Sequence, residues 1–207
     1  MRIRLTALVV AALLVAVSPA LAQKAPGVTD TEVVIGLTMP LSGPAAAWSN
    51  TGVAMEAWAR YVNDQGGIHG RKLKVIMKDD GYNPGRAVAN LKELKDSIFM
   101  NVGLLGSAVL QAAKDDVAEY KLPTINPYGN PSIWARQPRE KLRYVFVAYT
   151  DYLDEGDFLV NHAVKLGAKK IAVFHQNDEY GKGGLEGVNR GLKGLGGKAT
   201  LAAAVSY

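Results

Sequence analysis

Residues 33–48 read VVIGLTMPLSGPAAAW, and they predict three successive elements of structure. The apolar run at residues 33–39 predicts a buried strand, and the turn residues at 40–44 predict a loop. A helix is predicted next, because the apolar side chains beyond the loop recur at helical spacing and share one face. These side chains belong to Val53, Ala54, Ala57, Trp58, Tyr61 and Val62. The stretch therefore predicts a strand, a loop and a helix in that order.

The same order repeats along the chain. Further strands are predicted at residues 73–77, 101–105, 122–125, 144–148, 171–175 and 201–205, with helices between most of them. A Pro-, Asn- and Gly-rich loop at residues 126–143 interrupts the pattern once. Strict alternation of strand and helix predicts an α/β fold with a parallel sheet, covered on both faces and joined by right-handed crossovers.

The restart after that loop predicts two lobes. We expect a first α/β lobe at residues 23–143, with about four strands. Residues 144–207 are then a hinge crossing and the start of a second α/β lobe, with two or three strands. Because a sheet needs several strands to bury its faces, we expect the second lobe to be incomplete and the sequence to be a fragment.

The N-terminus predicts export. Two arginines, Arg2 and Arg4, precede an apolar run at residues 5–17, and Ala20-Leu21-Ala22 follows. This is the pattern of a signal peptide over residues 1–22, cleaved after Ala22, since the apolar run is too short for a comfortable membrane span. The chain contains no cysteine, so it has neither disulfides nor a lipoprotein anchor. We therefore expect an untethered protein of the periplasm.

Composition argues against a nucleic-acid partner. The formal net charge is +5, and removal of the signal peptide leaves 22 basic and 19 acidic side chains. Lysines such as Lys72, Lys74 and Lys78 are scattered, and no basic stripe interleaves with exposed aromatic residues. The sequence therefore predicts no nucleic-acid binding.

Three loops are candidates for a ligand site. In open parallel sheets, ligands bind beyond the carboxyl ends of the strands, where helix N-termini present free amide groups. The loops at residues 41–48, 106–108 and 126–130 fit this description and would suit a carboxylate. Ser107 could bind such an anion or simply cap its helix. Trp48 and Tyr128 could wall the pocket or pack locally.

Enzyme signatures fail when they are checked residue by residue. Neither the residues after Gly36 nor those at 191–200 carry a nucleotide-binding glycine motif, and there is no Gly-x-Ser-x-Gly elbow. The three histidines lack metal-ligand spacing. The adjacent pairs Asp79-Asp80 and Asp115-Asp116 favour turn capping and solvation over acid-base catalysis. The sequence predicts a binding protein that is not an enzyme, with no cofactor and no metal.

Four segments together resemble the type I periplasmic binding proteins of the leucine/isoleucine/valine class. They are residues 33–48, 52–84, 122–134 and 169–184, and the likeness covers nearly all of the chain beyond the signal peptide. The resemblance implies two Rossmann-like lobes linked by three crossovers. It also implies that the lobes close on a small ligand and deliver it to an ABC transporter permease.

The resemblance also implies site residues. Trp48 is similar to the tryptophan that walls the family's pocket, and Ser107 to the serine that holds the ligand carboxylate. Tyr128 and Gly129 fall in the loop that supplies further carboxylate contacts, and Tyr180 is similar to the second-lobe tyrosine that closes over the ligand. The chain departs from amino-acid binders in having few hydroxyls after Ser107 and a large ring at Tyr128.

The leading hypothesis is a monomeric solute receptor of an ABC importer. Its ligand would be a small carboxylate, with a branched-chain or other apolar amino acid as the first candidate. An aromatic carboxylate, an amide or urea is the alternative ligand, since some relatives bind these. A ligand-sensing domain of a signalling receptor with the same fold is the alternative function.

Overall fold

The computed structural model describes residues 25–207, and the predicted signal peptide lies outside them. The strands are β1 (Glu32–Met39), β2 (Lys72–Asp79), β3 (Met100–Val102), β4 (Thr124–Ile125), β5 (Val145–Phe146), β6 (Lys170–His175) and β7 (Thr200–Ser206). The helices are α1 (Ser49–Asp64), α2 (Pro84–Leu94), α3 (Ser107–Glu119), α4 (Ser132–Ala135), α5 (Tyr152–Lys165) and α6 (Glu179–Gly194). Short 3-10 turns lie at Ala46–Trp48 and Arg139–Leu142.

The first sheet is parallel, with the strand order β2-β1-β3-β4-β5. The connection from β1 to β2 runs one way along the sheet and that from β2 to β3 runs the other way. Right-handed crossovers therefore place α1 on one face and α2 on the opposite face. Residues of α2 and α3 form the main buried cluster, including Leu91, Leu94, Val109 and Leu110. The predicted α/β class and parallel sheet are confirmed.

The strand near residue 145 joins a different sheet from the one predicted. The pattern predicts that residues 144–148 open the second lobe, but Val145–Phe146 pairs with β4 as the fifth strand of the first sheet. The backbone N–H of Thr124 donates to Tyr144 and that of Asn126 donates to Phe146. Alternation along a sequence reveals a strand but not its neighbour, which explains the error. The lobe boundary after residue 143 remains a prediction.

The second lobe holds the parallel pair β6 and β7, together with α5 and α6. These two helices pack closely, and glycines allow the approach. A Cβ atom added at Gly187 would lie 2.6 Å from the carbonyl oxygen of Leu153 and 2.7 Å from that of Tyr152. A side chain at this position would therefore push the helices apart.

Within residues 25–207, no helix is both long enough and apolar enough to span a membrane. The α4 turn lies inside the predicted loop at residues 126–143, where it buries Trp134 and Ile133. The loop is therefore anchored to the first lobe by its own apolar side chains.

Candidate ligand-binding cleft

A cleft of about 650 Å³ opens between the two lobes, at the carboxyl ends of the strands. Every strand of both sheets supplies at least one lining residue from the segment that follows it. In chain order the lining residues are Pro44, Ala45, Ala47, Trp48, Tyr82, Leu105, Gly106, Ser107, Tyr128, Gly129, Tyr149, Tyr152, Gln176, Tyr180 and Tyr207. The cleft thus lies where the carboxyl-end rule for parallel sheets predicts a ligand site.

The structure brings all five predicted site residues together in this cleft. Trp48, Ser107, Tyr128 and Gly129 come from the first lobe, and Tyr180 comes from the start of α6 in the second lobe. Half of the Trp48 surface and 45% of the Tyr180 surface are exposed, so both rings can still be covered. Their roles in binding remain predictions.

The N-terminus of α3 points into the cleft without a side-chain cap. Gly106 is the N-cap residue, and Ser107 is the first residue of the helix. The Ser107 hydroxyl accepts a hydrogen bond from the backbone N–H of Asn130, at 2.9 Å. A plain N-cap role for Ser107 is therefore wrong. Since the first-turn amides of a helix have no intrahelical acceptor, this end can accept an anion.

Two glycines allow neighbouring groups to pack closely at that helix end. Gly106 has a φ of +110°, and a Cβ there would lie 2.6 Å from the Tyr82 ring. A Cβ at Gly129 would lie 3.0 Å from the backbone nitrogen of Ser107. The loop after β4 can lie close to the helix end because both positions lack a side chain.

Four tyrosines form a chain of edge-to-face rings along the wall. The ring centres are 5.7 Å apart for Tyr128 and Tyr149, 5.8 Å for Tyr149 and Tyr152, and 5.3 Å for Tyr152 and Tyr180. We call this set the tyrosine chain. It runs from the first lobe to the second. Burial raises the pKa of Tyr152 and of Tyr180, so both hydroxyls remain neutral donors at pH 7.

Sequence reasoning missed five polar or aromatic lining residues. They are Tyr82, Tyr149, Tyr152, Gln176 and Tyr207. Each of them follows a strand, so the same carboxyl-end rule could have found them. They were missed because the sequence pattern was used to predict ligand-binding loops only after β1, β3 and β4, and not after the other strands.

Polar contacts join the lobes around the cleft. The Gln176 amide donates to the Tyr82 hydroxyl at 3.4 Å, and the Ser132 hydroxyl donates to Asp151 at 2.6 Å. An ion pair between Arg136 and Glu186 adds a third link, at 3.3 Å. The ion pair is exposed and the two hydrogen bonds are only partly buried, so these contacts can break when the lobes separate.

The two adjacent aspartates at the end of β2 stabilise the neighbouring turns by accepting hydrogen bonds. Asp79 accepts hydrogen bonds from the Ser42 hydroxyl at 2.6 Å and from the backbone N–H groups of Leu41 and Gly81 at 2.9 Å. Asp80 accepts from the Thr38 hydroxyl and from the backbone of Tyr82. This arrangement supports turn capping over acid-base chemistry. It also fixes the Tyr82 turn beside the cleft.

Asp79 makes the stability of these loops depend on pH. The hydrogen bond from Ser42 and those from backbone N–H groups hold the Asp79 pKa well below its ordinary value. This stabilisation is complete above the unfolded value of about 4 and is lost as the pH falls below it. We expect Asp79→Asn to lower the free energy of unfolding most at pH 7 and progressively less below pH 4. Denaturation of both proteins from pH 7 to pH 3 measures this, and a constant difference would contradict it.

Charge is scarce in the wall of the cleft. Among the lining residues between 25 and 207, none is Asp, Glu, Lys, Arg or His. The same part of the chain contains no group of three or more potential His, Cys, Asp or Glu metal ligands. The groups that residues 25–207 present to the cleft are therefore ring faces, hydroxyls, one amide side chain and the backbone amides of α3.

One known protein family matches most of the chain. The family model described as "Periplasmic binding protein" matches residues 32–207. An amino acid binding protein of Pseudomonas aeruginosa is 32% identical over 178 residues, covering 82% of this chain and 46% of the relative. The Leu/Ile/Val-binding protein of Escherichia coli is 29% identical over 170 residues, covering 78% of this chain and 44% of the relative. The chain thus spans about half the length of the curated relatives it matches.

Solved structures show the same fold. A fatty acid ABC transporter substrate-binding protein from Thermomonospora curvata superposes with a TM-score of 0.77 at 26% identity, covering 88% of this chain and 46% of that one. A substrate-binding periplasmic protein from Ralstonia solanacearum superposes with a TM-score of 0.74 at 28% identity, covering 85% of this chain and 49% of that one. The α/β fold with its parallel sheets agrees with this likeness.

Proposed function

Since the chain belongs to the periplasmic binding protein family, of the type I class that includes Leu/Ile/Val-binding proteins, we propose that it is the solute-binding receptor of an ABC importer. It captures a small carboxylate between its lobes, and the loaded form is recognised by the permease. The named relatives are binding proteins, which favours a binding role over an enzymatic one. The family supports a periplasmic location, with residues 1–22 as the signal peptide.

The observation that carries this proposal is the uncapped start of α3 at the base of the cleft. Its first-turn amides and the Ser107 hydroxyl proton can donate to a carboxylate. Such charge-assisted bonds are worth about 1.5–3 kcal/mol each when water is excluded. A carboxylate would therefore be anchored on the first lobe.

Closure of the second lobe completes the site. Tyr180 and Gln176 face the cleft from that lobe, and Gln176 already reaches the Tyr82 hydroxyl across it. A ligand that contacts both lobes stabilises the closed arrangement by its differential affinity for it. The permease can then distinguish loaded from empty receptor by shape. We propose 23–143 and 144–207 as the two lobe segments, with β5 hydrogen-bonded to the first sheet.

A panel of ligands tests carboxylate capture. Branched-chain and other apolar amino acids, together with simple aromatic acids, are added to the full chain, and thermal unfolding is measured. A true ligand at 100 times its Kd stabilises the protein by about 2.7 kcal/mol. The matched amides of the same compounds are the control, because they keep the shape and lose the charge. Absence of stabilisation across the whole panel would contradict the proposal.

Transport is tested separately from binding. In a strain that lacks the gene, we expect the uptake of the radiolabelled ligand to fall, while uptake of an unrelated solute is unchanged. Uptake should return when the gene is restored. Undiminished uptake of a solute that the purified protein binds would contradict the importer role and leave the binding role standing.

A further inference from the structure

Tyr82 has a backbone conformation that large side chains rarely adopt. Its φ is +61°, in the left-handed region that favours glycine. Such a conformation persists only where the surrounding contacts impose it, and it occurs most often at functional positions. The backbone N–H of Tyr82 donates to the Asp80 side chain at 2.8 Å, and that of Asn83 donates to the Asp80 carbonyl at 2.9 Å. Asp80 therefore holds the turn that directs the Tyr82 ring.

The Tyr82 ring lies against the start of α3. A Cβ added at Gly106, the N-cap residue of α3, would lie 2.6 Å from Cε2 and 3.2 Å from Cζ of that ring. The ring thus occupies the space that a side chain at the N-cap position would fill. Its hydroxyl extends to the second lobe, where it accepts a hydrogen bond from the Gln176 amide at 3.4 Å. One side chain therefore connects the helix end with the opposite lobe.

The Gln176 amide continues this contact to the start of α6. Its nitrogen donates to Asp178 Oδ2 at 2.7 Å as well as to the Tyr82 hydroxyl. Asp178 is the N-cap residue of α6, and its Oδ1 accepts from the backbone N–H groups of Tyr180 at 2.9 Å and Gly181 at 3.2 Å. The hydrogen bond to Tyr82 therefore joins the first lobe to the helix that carries Tyr180.

We propose that Tyr82 is a positioning residue that holds the second lobe over the start of α3, through the hydrogen bond between its hydroxyl and Gln176. We call this contact the tyrosine–glutamine clasp. The inference rests on the proposed closure of the lobes and names the residue pair that stabilises it. Burial, foremost, and the nearby Asp178 carboxylate raise the pKa of Tyr82, so the hydroxyl stays neutral at pH 7. Its oxygen can accept from Gln176 while its proton remains available for a second hydrogen bond.

The clasp differs from the Arg136–Glu186 ion pair in its position and its response to salt. Both members of the ion pair are exposed, so salt screens their attraction. Tyr82 and Gln176 both line the cleft, and their hydrogen bond is partly buried and joins two neutral groups. We therefore expect the clasp to persist at a salt concentration that weakens the ion pair.

Distances between spin labels on the two lobes test the clasp without any solute. The chain has no native cysteine, so Lys92→Cys on α2 and Lys193→Cys on α6 supply one exposed label each. Double electron–electron resonance on the full chain gives the ratio of closed to open arrangements, at about 0.5 M NaCl to screen the exposed ion pair. We expect Tyr82→Phe to lower this ratio about threefold or more, because it removes one hydrogen bond and keeps the ring on Gly106.

A double-variant cycle shows whether the two side chains act on each other. Gln176→Met keeps the length of the side chain and removes the donor, so it should lower the ratio to a similar extent. Added to Tyr82→Phe, it should change the ratio by less than about 1.5-fold, because the hydrogen bond is already lost. Tyr120→Phe is the matched control. It removes a hydroxyl that donates to Asp116 within the first lobe at 2.9 Å, and it should leave the ratio unchanged.

The outcomes separate the clasp from the function on which it rests. Unchanged distances in Tyr82→Phe would show that the hydroxyl does not hold the lobes together. Additive effects of Tyr82→Phe and Gln176→Met, or an equal shift in Tyr120→Phe, would show that the contact between Tyr82 and Gln176 is not the cause. Each of these results overturns the clasp and leaves carboxylate capture standing, because no solute is added. Failure of the ligand panel, by contrast, overturns carboxylate capture whatever the labels show.

Discussion

Gly187→Ala is expected to lower the free energy of unfolding by about 2–3 kcal/mol, the cost of inserting a methyl group into a closely packed interface. The new Cβ would lie 2.6 Å and 2.7 Å from the carbonyl oxygens of Leu153 and Tyr152, and backbone atoms cannot move aside as a flexible side chain can. Helices α5 and α6 would have to separate. Denaturant unfolding of the full chain measures the change.

Gly184→Ala is the matched control within the same helix. A Cβ at Gly184 meets no atom within 4 Å, and alanine is favoured over glycine inside a helix by about 1 kcal/mol. We therefore expect Gly184→Ala to be neutral or stabilising. Similar unfolding free energies for the two variants would show that α5 and α6 do not pack as closely as described.

Gly129→Val is expected to weaken carboxylate binding by about 100-fold or more. A Cβ at this position lies 3.0 Å from the backbone nitrogen and 3.1 Å from the Cα of Ser107, so the valine methyl groups would occupy the start of α3. Loss of two charge-assisted hydrogen bonds at about 1.5–3 kcal/mol each accounts for a change of this size. Calorimetric titration with benzoate, and with L-leucine as a second probe, measures it.

The control for this variant is a glycine outside the cleft. Gly184→Ala should bind each probe with an affinity within about twofold of the unchanged chain. The circular dichroism of Gly129→Val should match that chain as well, which separates a blocked site from an unfolded protein. If folded Gly129→Val retains its carboxylate affinity, the ligand does not meet α3.

Much of the fold could be predicted from sequence because the strands are short and apolar and lie between strong turn signals. The run ending at Met39 before Pro40 fixed both the strand and its end. Membership of a sheet could not be predicted in this way, since the pairing of Val145 with Thr124 depends on which edge is free in three dimensions. The exposure of Trp58 could not be predicted either. Apolar side chains that share one face of a helix do not show whether another element packs against that face.

The candidate site likewise has features that local sequence predicts and features that depend on tertiary packing. Trp48, Ser107 and Tyr128 could be placed in the cleft because a strand end followed by a helix predicts its location. The contact of the Ser107 hydroxyl with Asn130 could not be foreseen, since it depends on how a distant loop folds back. The tyrosine chain joins residues as far apart as Tyr128 and Tyr180, and only the packed lobes bring such rings within 6 Å of their neighbours.

The most direct test of the central claim is a crystal structure of the full chain saturated with the acid from the ligand panel that raises its thermal stability most. We expect the carboxylate of that ligand at the first turn of α3 beside Ser107, and the rest of the ligand between the lobes. A fully occupied ligand outside the cleft, or one with its carboxylate turned away from α3, would contradict the account.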